Sequence, residues 1–245
     1  MLLQCETEFG GAEPAPAWLR GETLESLTEL NEETLELLAA QARATPDSAQ
    51  LQQVAGLLQN LDAPGRRRAA ACLYLLIDAG FSEPQCWRRA PPRRADPGEA
   101  AFFSVPGALP FAHGVFAFAW HLSRCHEPAA RLLLGMPAEG VPLLARHTLR
   151  EVRALADAQA RWLRPRWWTR PGLWRELLRA AAGADDPALQ RVRLHGQALL
   201  AAALYRGARA RPAPGVGAPR VPATEPPRPP VRPAALARAA EARGP

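Results

Sequence analysis

The fold is decided by the stretch from Arg131 to Arg179, which reads RLLLGMPAEGVPLLARHTLREVRALADAQARWLRPRWWTRPGLWRELLR and has a weaker copy earlier in the chain. A shift of 87 positions aligns four residues of the earlier copy, Leu76, Phe81, Pro84 and Trp87, with Leu163, Trp168, Pro171 and Trp174. A shift of 86 aligns Leu57 and Leu58 with Leu143 and Leu144. Each copy reads as a Leu-Leu helix, a turn, a helix rich in Arg and Ala, and an aromatic residue ahead of Pro-x-x-Trp. The sequence therefore predicts an all-α protein with two similar helical units packed together.

Composition sets the boundaries of these units, since 245 residues are enough for two small domains or one bundle with a tail. We predict a flexible acidic arm at 1–21, a first helical unit at 22–90 and a linker with an apolar crossover at 91–112. A second helical unit at 113–206 and a disordered tail rich in Pro, Ala and Arg at 207–245 complete the chain. The tail has ten prolines and few large apolar residues, so burial within it cannot offset the entropy of ordering it.

Apolar periodicity and capping residues predict where the helices lie. The first helix runs from Thr23 to Arg43, with leucines at spacings of three and four and glutamates on the opposite face. The third helix is capped by Asp62, has Pro64 just inside its start and extends to about Ile77. In the second unit, Thr148-x-x-Glu151 has the form of a capping box, and the last helix begins at Asp186. No alternating pattern of useful length predicts a strand.

The charge is unevenly distributed along the chain, and all 30 basic residues are arginine. Residues 1–62 contain eleven acidic residues and two arginines, whereas residues 63–205 contain twenty arginines and eleven acidic residues. The chain from Arg206 onward adds eight arginines against two acidic residues. Such asymmetry steers an anionic partner to one end of a protein. It is equally compatible with an acidic end that masks the basic middle, or with two copies paired head to tail.

Neither a membrane segment nor a secretory leader is predicted. Ala100 to His121 carries no Asp, Glu, Lys or Arg, but prolines, glycines and His113 interrupt it. We therefore expect a buried crossover that leads into a helix from Val115 to Ser123. The N-terminus lacks a basic start and an apolar core of signal-peptide length. The protein is expected in the cytoplasm, without membrane contact.

The cysteines and histidines do not predict a metal site. Four cysteines, Cys5, Cys72, Cys86 and Cys125, are scattered without CxxC spacing, which argues against a disulfide framework and a structural zinc. His121 and Cys125 would share a helical face with His126 nearby, but zinc needs about four ligands. A packed helix with a buried thiol is the favoured interpretation. Serine and acidic residues do not cluster around a histidine, and no glycine-rich phosphate loop follows a strand, so neither an enzyme nor a cofactor is expected.

The strongest candidate for a binding site is the run RWLRPRWWTR at residues 161–170, where arginines alternate with aromatic rings. Guanidinium groups contact phosphates and rings stack on bases, a combination typical of nucleic-acid surfaces. The candidate residues for contact with nucleic acid or a protein partner are Arg161, Arg164, Arg166, Trp167 and Arg170. The alternative is a core turn, in which the structural anchors are Trp87, Trp162, Trp168 and Trp174.

One leucine-rich segment runs from Leu27-Thr28-Glu29-Leu30-Asn31 to Ala39-Ala40-Gln41, and a second contains Arg131 to Met136, Leu143-Leu144-Ala145, Leu149 and Leu155-Ala156. These two segments resemble parts of FlhD, the bacterial flagellar master regulator subunit. The first copy, roughly 24–81, lacks the Leu-Gly turn of the family, and the second, roughly 115–168, has a loose version of its opening helix. The resemblance implies an all-helical regulator that acts through protein assembly and contributes to promoter binding. FlhD is about half this size, dimerises and partners a zinc-bearing subunit, so a tandem chain could replace its dimer.

Together these patterns favour a cytoplasmic bacterial regulatory protein, similar to FlhD, that acts through a protein partner and DNA contact. The competing class is a helical adaptor or scaffold of a secretion or motility system that does not bind DNA.

Overall fold

The computed structural model of the chain describes residues 21–88 and 101–209, with side chains described as far as residue 206. Over these residues the protein is all-α, as predicted. The described part does not include residues 1–20 of the predicted arm, residues 89–90 of the predicted first unit, residues 91–100 of the predicted linker or residues 210–245 of the predicted tail.

Helices make up most of the described residues, with two very short strands. The helices are α1 (Glu22–Ala44), α2 (Ala49–Gln59), α3 (Ala63–Ala70), α4 (Ala108–Cys125), α5 (Glu127–Leu134), α6 (Gly140–Ala145), α7 (Leu149–Gln159), α8 (Pro171–Ala182) and α9 (Asp186–Arg209). Two 3₁₀ turns lie at Pro84–Trp87 and Ala160–Trp162. The strands are β1 (Ile77–Asp78) and β2 (Arg164–Pro165).

Side-chain caps fix two helix starts that the sequence predicts. At the start of α7 the Thr148 hydroxyl accepts a hydrogen bond from the Glu151 main-chain N–H at 3.3 Å. The Glu151 carboxylate accepts one in return from the Thr148 N–H at 2.7 Å, which completes the capping box. At α3 the Asp62 carboxylate accepts from the Gly65 N–H at 2.7 Å. The helix predicted at Thr23 to Arg43 is also confirmed, as α1.

The third helix is shorter than predicted, because a buried asparagine binds the main chain after Ala70. The Asn31 amide donates to the carbonyls of Ala70 and Tyr74 at 2.9 and 3.0 Å. Its carbonyl oxygen accepts from the Leu76 N–H at 2.7 Å. Asn31 thus gives the main-chain groups of Ala70, Tyr74 and Leu76 the hydrogen-bond partners that they would have had in a continued helix. The chain leaves the helix at Ala71 and is extended where Ile77 was predicted to be helical.

The uncharged stretch also differs from its prediction. Helix α4 begins at Ala108, seven residues before the predicted Val115, so part of the predicted crossover is helical. Gly107 permits this start, because its φ of 99° is one that glycine adopts readily. Pro110 falls in the first turn, where a proline is tolerated. No helix in the described residues is long and apolar enough to cross a membrane.

The two strands pair antiparallel, with Ile77 opposite Pro165 and Asp78 opposite Arg164. No strand was predicted, because two residues are too few to produce a visible alternation. The pair joins the two predicted units directly. Helix packing does the same, since α8 packs on α2 and α3, and the Pro84–Trp87 turn packs on α6. The buried apolar residues of both predicted units form one continuous core.

Local geometry recurs 87 positions apart around these strands. Gly80 and Trp167 both have positive φ, of 76° and 51°. The Glu83 N–H donates to the Gly80 carbonyl at 3.0 Å, and the Arg170 N–H donates to the Trp167 carbonyl at 2.7 Å. A duplicated unit predicts such pairs of features. The boundaries of two whole units stay a prediction.

Candidate binding surface

The candidate run at residues 161–170 is divided among three elements. It begins in the 3₁₀ turn Ala160–Trp162, continues through β2 and ends at the residue before α8. Successive side chains of an extended segment point to opposite sides. The arginines of the run therefore do not share one surface.

Arg166 lies inside the protein, where its side chain is 8% exposed. Its Nε donates to the Leu75 carbonyl at 2.7 Å, and its Nη2 donates to the Leu134 carbonyl at 2.6 Å. Its Nη1 lies 3.8 Å from a carboxylate oxygen of Asp78. Burial lowers the pKa of Arg166, while the nearby Asp78 and Tyr74 oppose that shift. The structure therefore corrects the assignment of Arg166 to the contact surface.

The main-chain N–H and the main-chain carbonyl of Arg166 also form hydrogen bonds. Its N–H donates to the Leu76 carbonyl at 2.8 Å, and its carbonyl accepts from the Trp174 indole N–H at 2.8 Å. Trp174 is 2% exposed. Arg166 thus joins β1, the end of α5 and α8 in one hydrogen-bonded cluster.

Two tryptophans of the run, Trp167 and Trp168, pack against other rings. Trp167 is half-buried and meets Tyr74 edge-on, with ring centroids 5.2 Å apart. Trp168 packs against Phe102 at 4.9 Å and against Trp174 at 6.3 Å. The Trp167 ring, which is the candidate for stacking on bases, therefore already packs against Tyr74 in the folded protein.

The two remaining predicted anchors differ in burial. Trp87 is fully buried and stacks on Phe81, with centroids 5.5 Å apart. Its indole N–H has no acceptor among the described residues. Trp162 is half-buried, and the guanidinium of Arg161 lies 5.3 Å above its ring. Trp162 therefore borders the surface.

Three exposed arginines form a row on α7 and the turn that follows it. Arg150 and Arg153 are exposed on α7, and Arg161 is exposed in the turn Ala160–Trp162. Spacings of three and eight residues place these side chains on one side of the helical segment. We call Arg150, Arg153 and Arg161 the basic face.

Arg150 and Arg153 were not among the predicted contact residues. A signal for them is present in the sequence, because the apolar residues Val152 and Ala156 are four positions apart, which is the spacing of an inward-facing stripe. The two arginines occupy positions outside that buried stripe, as their exposure shows. Arg170 is exposed just before α8, and Arg164 is half-buried in β2.

The acidic residues of α7 are engaged in other contacts. Glu151 completes the helix cap with Thr148. Asp157 lies on the same side as the basic face and contacts the His113 ring of α4 at 2.7 Å. The arginines of the basic face therefore dominate the charge on this side of α7.

The acidic end of the protein is on α1, where glutamates follow one another along the exposed side. Glu36 pairs with Arg66 at 3.1 Å, and Glu32 lies 3.7 Å from Arg67. Partial burial, together with the neighbouring Glu36 and Glu29, raises the pKa of Glu33. Repulsion among these carboxylates is therefore only partly relieved by the arginines of α3.

The histidine and cysteine cluster at the end of α4 does not form a metal site. Within residues 21–88 and 101–209, no group of three or more His, Cys, Asp or Glu residues is arranged to hold a metal ion. Cys125 Sγ lies 3.9 Å from His121 Nδ1. Cys125 is exposed, which corrects the expectation of a buried thiol there, because this side of the last turn of α4 faces solvent.

Comparison of the chain with family models, with curated proteins and with solved structures finds no match.

Proposed function

We propose that this chain is a regulatory protein that binds DNA through the phosphate backbone, using the basic face. The observation that carries the proposal is the exposure of Arg150, Arg153 and Arg161 along one side of a single helical segment. Guanidinium groups form bidentate hydrogen bonds with phosphate oxygens and keep their charge at any physiological pH.

The dimensions of the basic face suit a duplex. Arg150 and Arg161 are separated by about 16 Å of helix axis at a rise of about 1.5 Å per residue. B-DNA presents roughly nine phosphates over that distance. Contacts to phosphate position a protein without reading sequence, so the basic face supplies affinity rather than sequence specificity.

The resemblance to FlhD supports a regulatory role, since it implies protein assembly and promoter contact. Two residues that carry the resemblance have structural roles here. Asn31 bonds the main chain after α3, and the Gln41 side chain accepts from the Ser104 N–H at 2.9 Å. The resemblance therefore concerns the helical scaffold, and the basic face adds the proposed contact.

A helical adaptor that binds an acidic protein is the second candidate. The packing of Trp167 on Tyr74 favours it, because an engaged ring contributes less stacking energy to a nucleic-acid surface. An acidic protein surface requires only the arginines.

The test is a fluorescence-anisotropy titration of a labelled duplex at several salt concentrations. The test variant combines Arg150→Ala, Arg153→Ala and Arg161→Ala. A matched control combines Arg43→Ala, Arg179→Ala and Arg191→Ala, which removes the same charge from exposed positions elsewhere. Each protein is measured at full length and as a chain ending at Arg209, so that the tail arginines do not hide the difference.

We expect the test variant to bind more weakly than the control. The slope of log K against log salt should fall by about 1 for each arginine removed from a phosphate contact. Equal binding by the test and control variants would exclude the basic face. A chain ending at Arg209 that binds no duplex at low salt would favour the adaptor.

A further inference from the structure

Arg124 is an exposed arginine of α4 whose side chain lies over an aromatic ring. Its guanidinium carbon is 4.8 Å from the centroid of the Trp120 ring. The Trp120 indole N–H donates to the His147 carbonyl at 2.8 Å, just before the Thr148 cap of α7. A guanidinium that lies over an aromatic face keeps the N–H groups at its edge for other acceptors. Trp120 therefore holds Arg124 near the start of α7 and leaves it able to bind an anion.

Arg124 lies on the same surface as the basic face. The residues His113, Trp120 and Arg124 are seven and four positions apart, so they share one side of α4. The His113 ring contacts α7 at Asp157, which lies on the same side as the basic face. Trp120 contacts the residue before the cap of α7. This side of α4 therefore continues the surface that carries the basic face.

The same two contacts show that α4 and α7 run antiparallel. His113 is near the start of α4 and meets the last turns of α7, whereas Trp120 is near the end of α4 and meets the start of α7. Arg124 follows Trp120 by about 6 Å along α4, so it lies beyond Arg150 at the end of the row that is opposite Arg161. The row from Arg161 to Arg124 is then roughly 24 Å long.

We propose that Arg124 is a further phosphate contact of this site, and that Arg124 and Arg161 bind phosphates on opposite strands of a duplex. This inference rests on the proposed function and names the form of DNA that the site takes. The major groove of B-DNA is about 12 Å wide, so a row of roughly 24 Å reaches the phosphates on both sides of it. A single strand has one backbone and does not hold two phosphates at a fixed separation across a groove. Trp120 is a positioning residue, because it orders Arg124 before DNA binds and so lowers the entropic cost of the contact.

The experiment measures the affinity of the full-length chain for a labelled duplex and for one of its strands alone, at several salt concentrations. The test variant is Arg124→Ala. The matched control is Arg191→Ala, which removes one exposed arginine from α9.

Two substitutions of Trp120 test its positioning role. Trp120→Phe and Trp120→Leu both lose the hydrogen bond to His147, but only the phenylalanine keeps a ring under Arg124. Circular dichroism and thermal melting measure the folding of every variant. Arg124→Ala changes an exposed position, so it tests the phosphate contact even if both Trp120 variants are destabilised.

We expect Arg124→Ala to bind the duplex about three to ten times more weakly than Arg191→Ala does. The slope of log K against log salt should fall by about 1. The affinities of these two variants for the single strand should agree within about twofold. Trp120→Phe should bind the duplex more tightly than Trp120→Leu. Equal weakening of duplex and single-strand binding in Arg124→Ala would overturn the assignment to opposite strands.

The variant that lacks the basic face separates this inference from the proposed function. Equal duplex binding by that variant and its triple control would exclude the proposed function and this inference together. If the basic face is required but Arg124→Ala binds the duplex as tightly as Arg191→Ala, this inference alone is wrong.

Discussion

The side chain of Arg166 is surrounded by main-chain carbonyls, an unusual environment for an arginine. Arginine is almost never fully buried unless it is paired. Its partners here, Leu75 and Leu134, lie 91 and 32 residues away in sequence. No local pattern distinguishes Arg166 from its exposed neighbours, which is why the sequence placed it on the contact surface.

Replacing Arg166 should therefore affect stability more than binding. Arg166→Ala leaves the carbonyls of Leu75 and Leu134 without their donors and opens a cavity. We expect the free energy of unfolding to fall by about 3–5 kcal/mol. The measurement is urea denaturation, with Arg161→Ala as the exposed control, expected within about 0.5 kcal/mol of the wild type. Equal effects of the two substitutions would contradict the structural role of Arg166.

Glu33 provides a pH-dependent prediction. Its folded-state pKa is raised above the ordinary 4.5, so its neutral form is favoured in the folded protein. The stability that it contributes is present below pH 4.5 and is lost as the pH rises through the folded pKa. Glu33→Gln should therefore raise the melting temperature near neutral pH. This increase in melting temperature should become smaller as the solution is made acidic, because Glu33 itself then becomes neutral.

The matched control for Glu33 is Glu127→Gln. Glu127 is exposed in the first turn of α5, where a negative charge is favourable to the helix. This substitution should lower the melting temperature near neutral pH. A Glu33→Gln variant whose advantage is the same at low and neutral pH would show that charge is not the cause.

Helices whose starts are fixed by their own side chains could be predicted from the sequence. The Thr148 cap of α7 and the Asp62 cap of α3 are local, and the sequence identified both. The end of α3 is not local, because it depends on Asn31, which is 39 residues before Ala70. The strands were missed for a similar reason, since each two-residue strand exists only through its distant partner.

Because α9 packs on Tyr74, we predict that a Gly→Ala substitution has opposite effects on stability in α9 and in α2. Gly196→Ala places a methyl group against the rigid Tyr74 ring, whereas a methyl at Gly56 in α2 meets nothing within 4 Å. We expect Gly196→Ala to cost about 1–3 kcal/mol and Gly56→Ala to stabilise by about 0.5–1 kcal/mol. Thermal or urea denaturation measures both. Stabilisation by Gly196→Ala would show that α9 does not pack on Tyr74.

At the scale of the molecule, the two predicted units share one core, so we expect them to unfold together. The contacts of Arg166 with Leu75 and Leu76 and the packing of α8 on α2 cross between the predicted units. Differential scanning calorimetry should show one transition with equal calorimetric and van't Hoff enthalpies. Two separated transitions would mean that the units are independent domains.

The charge distribution of the described residues could be predicted from the sequence, because it depends on composition. Glutamates lie along α1, and exposed arginines lie on α7. Which arginines form one row depended on helix geometry. Of the predicted contact residues the basic face therefore keeps Arg161 alone, and it gains Arg150 and Arg153.

The pairing of β1 with β2 has a consequence for synthesis on the ribosome. β1 emerges more than eighty residues before β2, so the nascent first half waits without its strand partner and without Arg166. Closing so long a loop is entropically costly and slows folding. The first half therefore cannot complete its core before β2 and Arg166 have left the ribosome. Its leucine-rich surfaces are open to chaperones until the second half arrives.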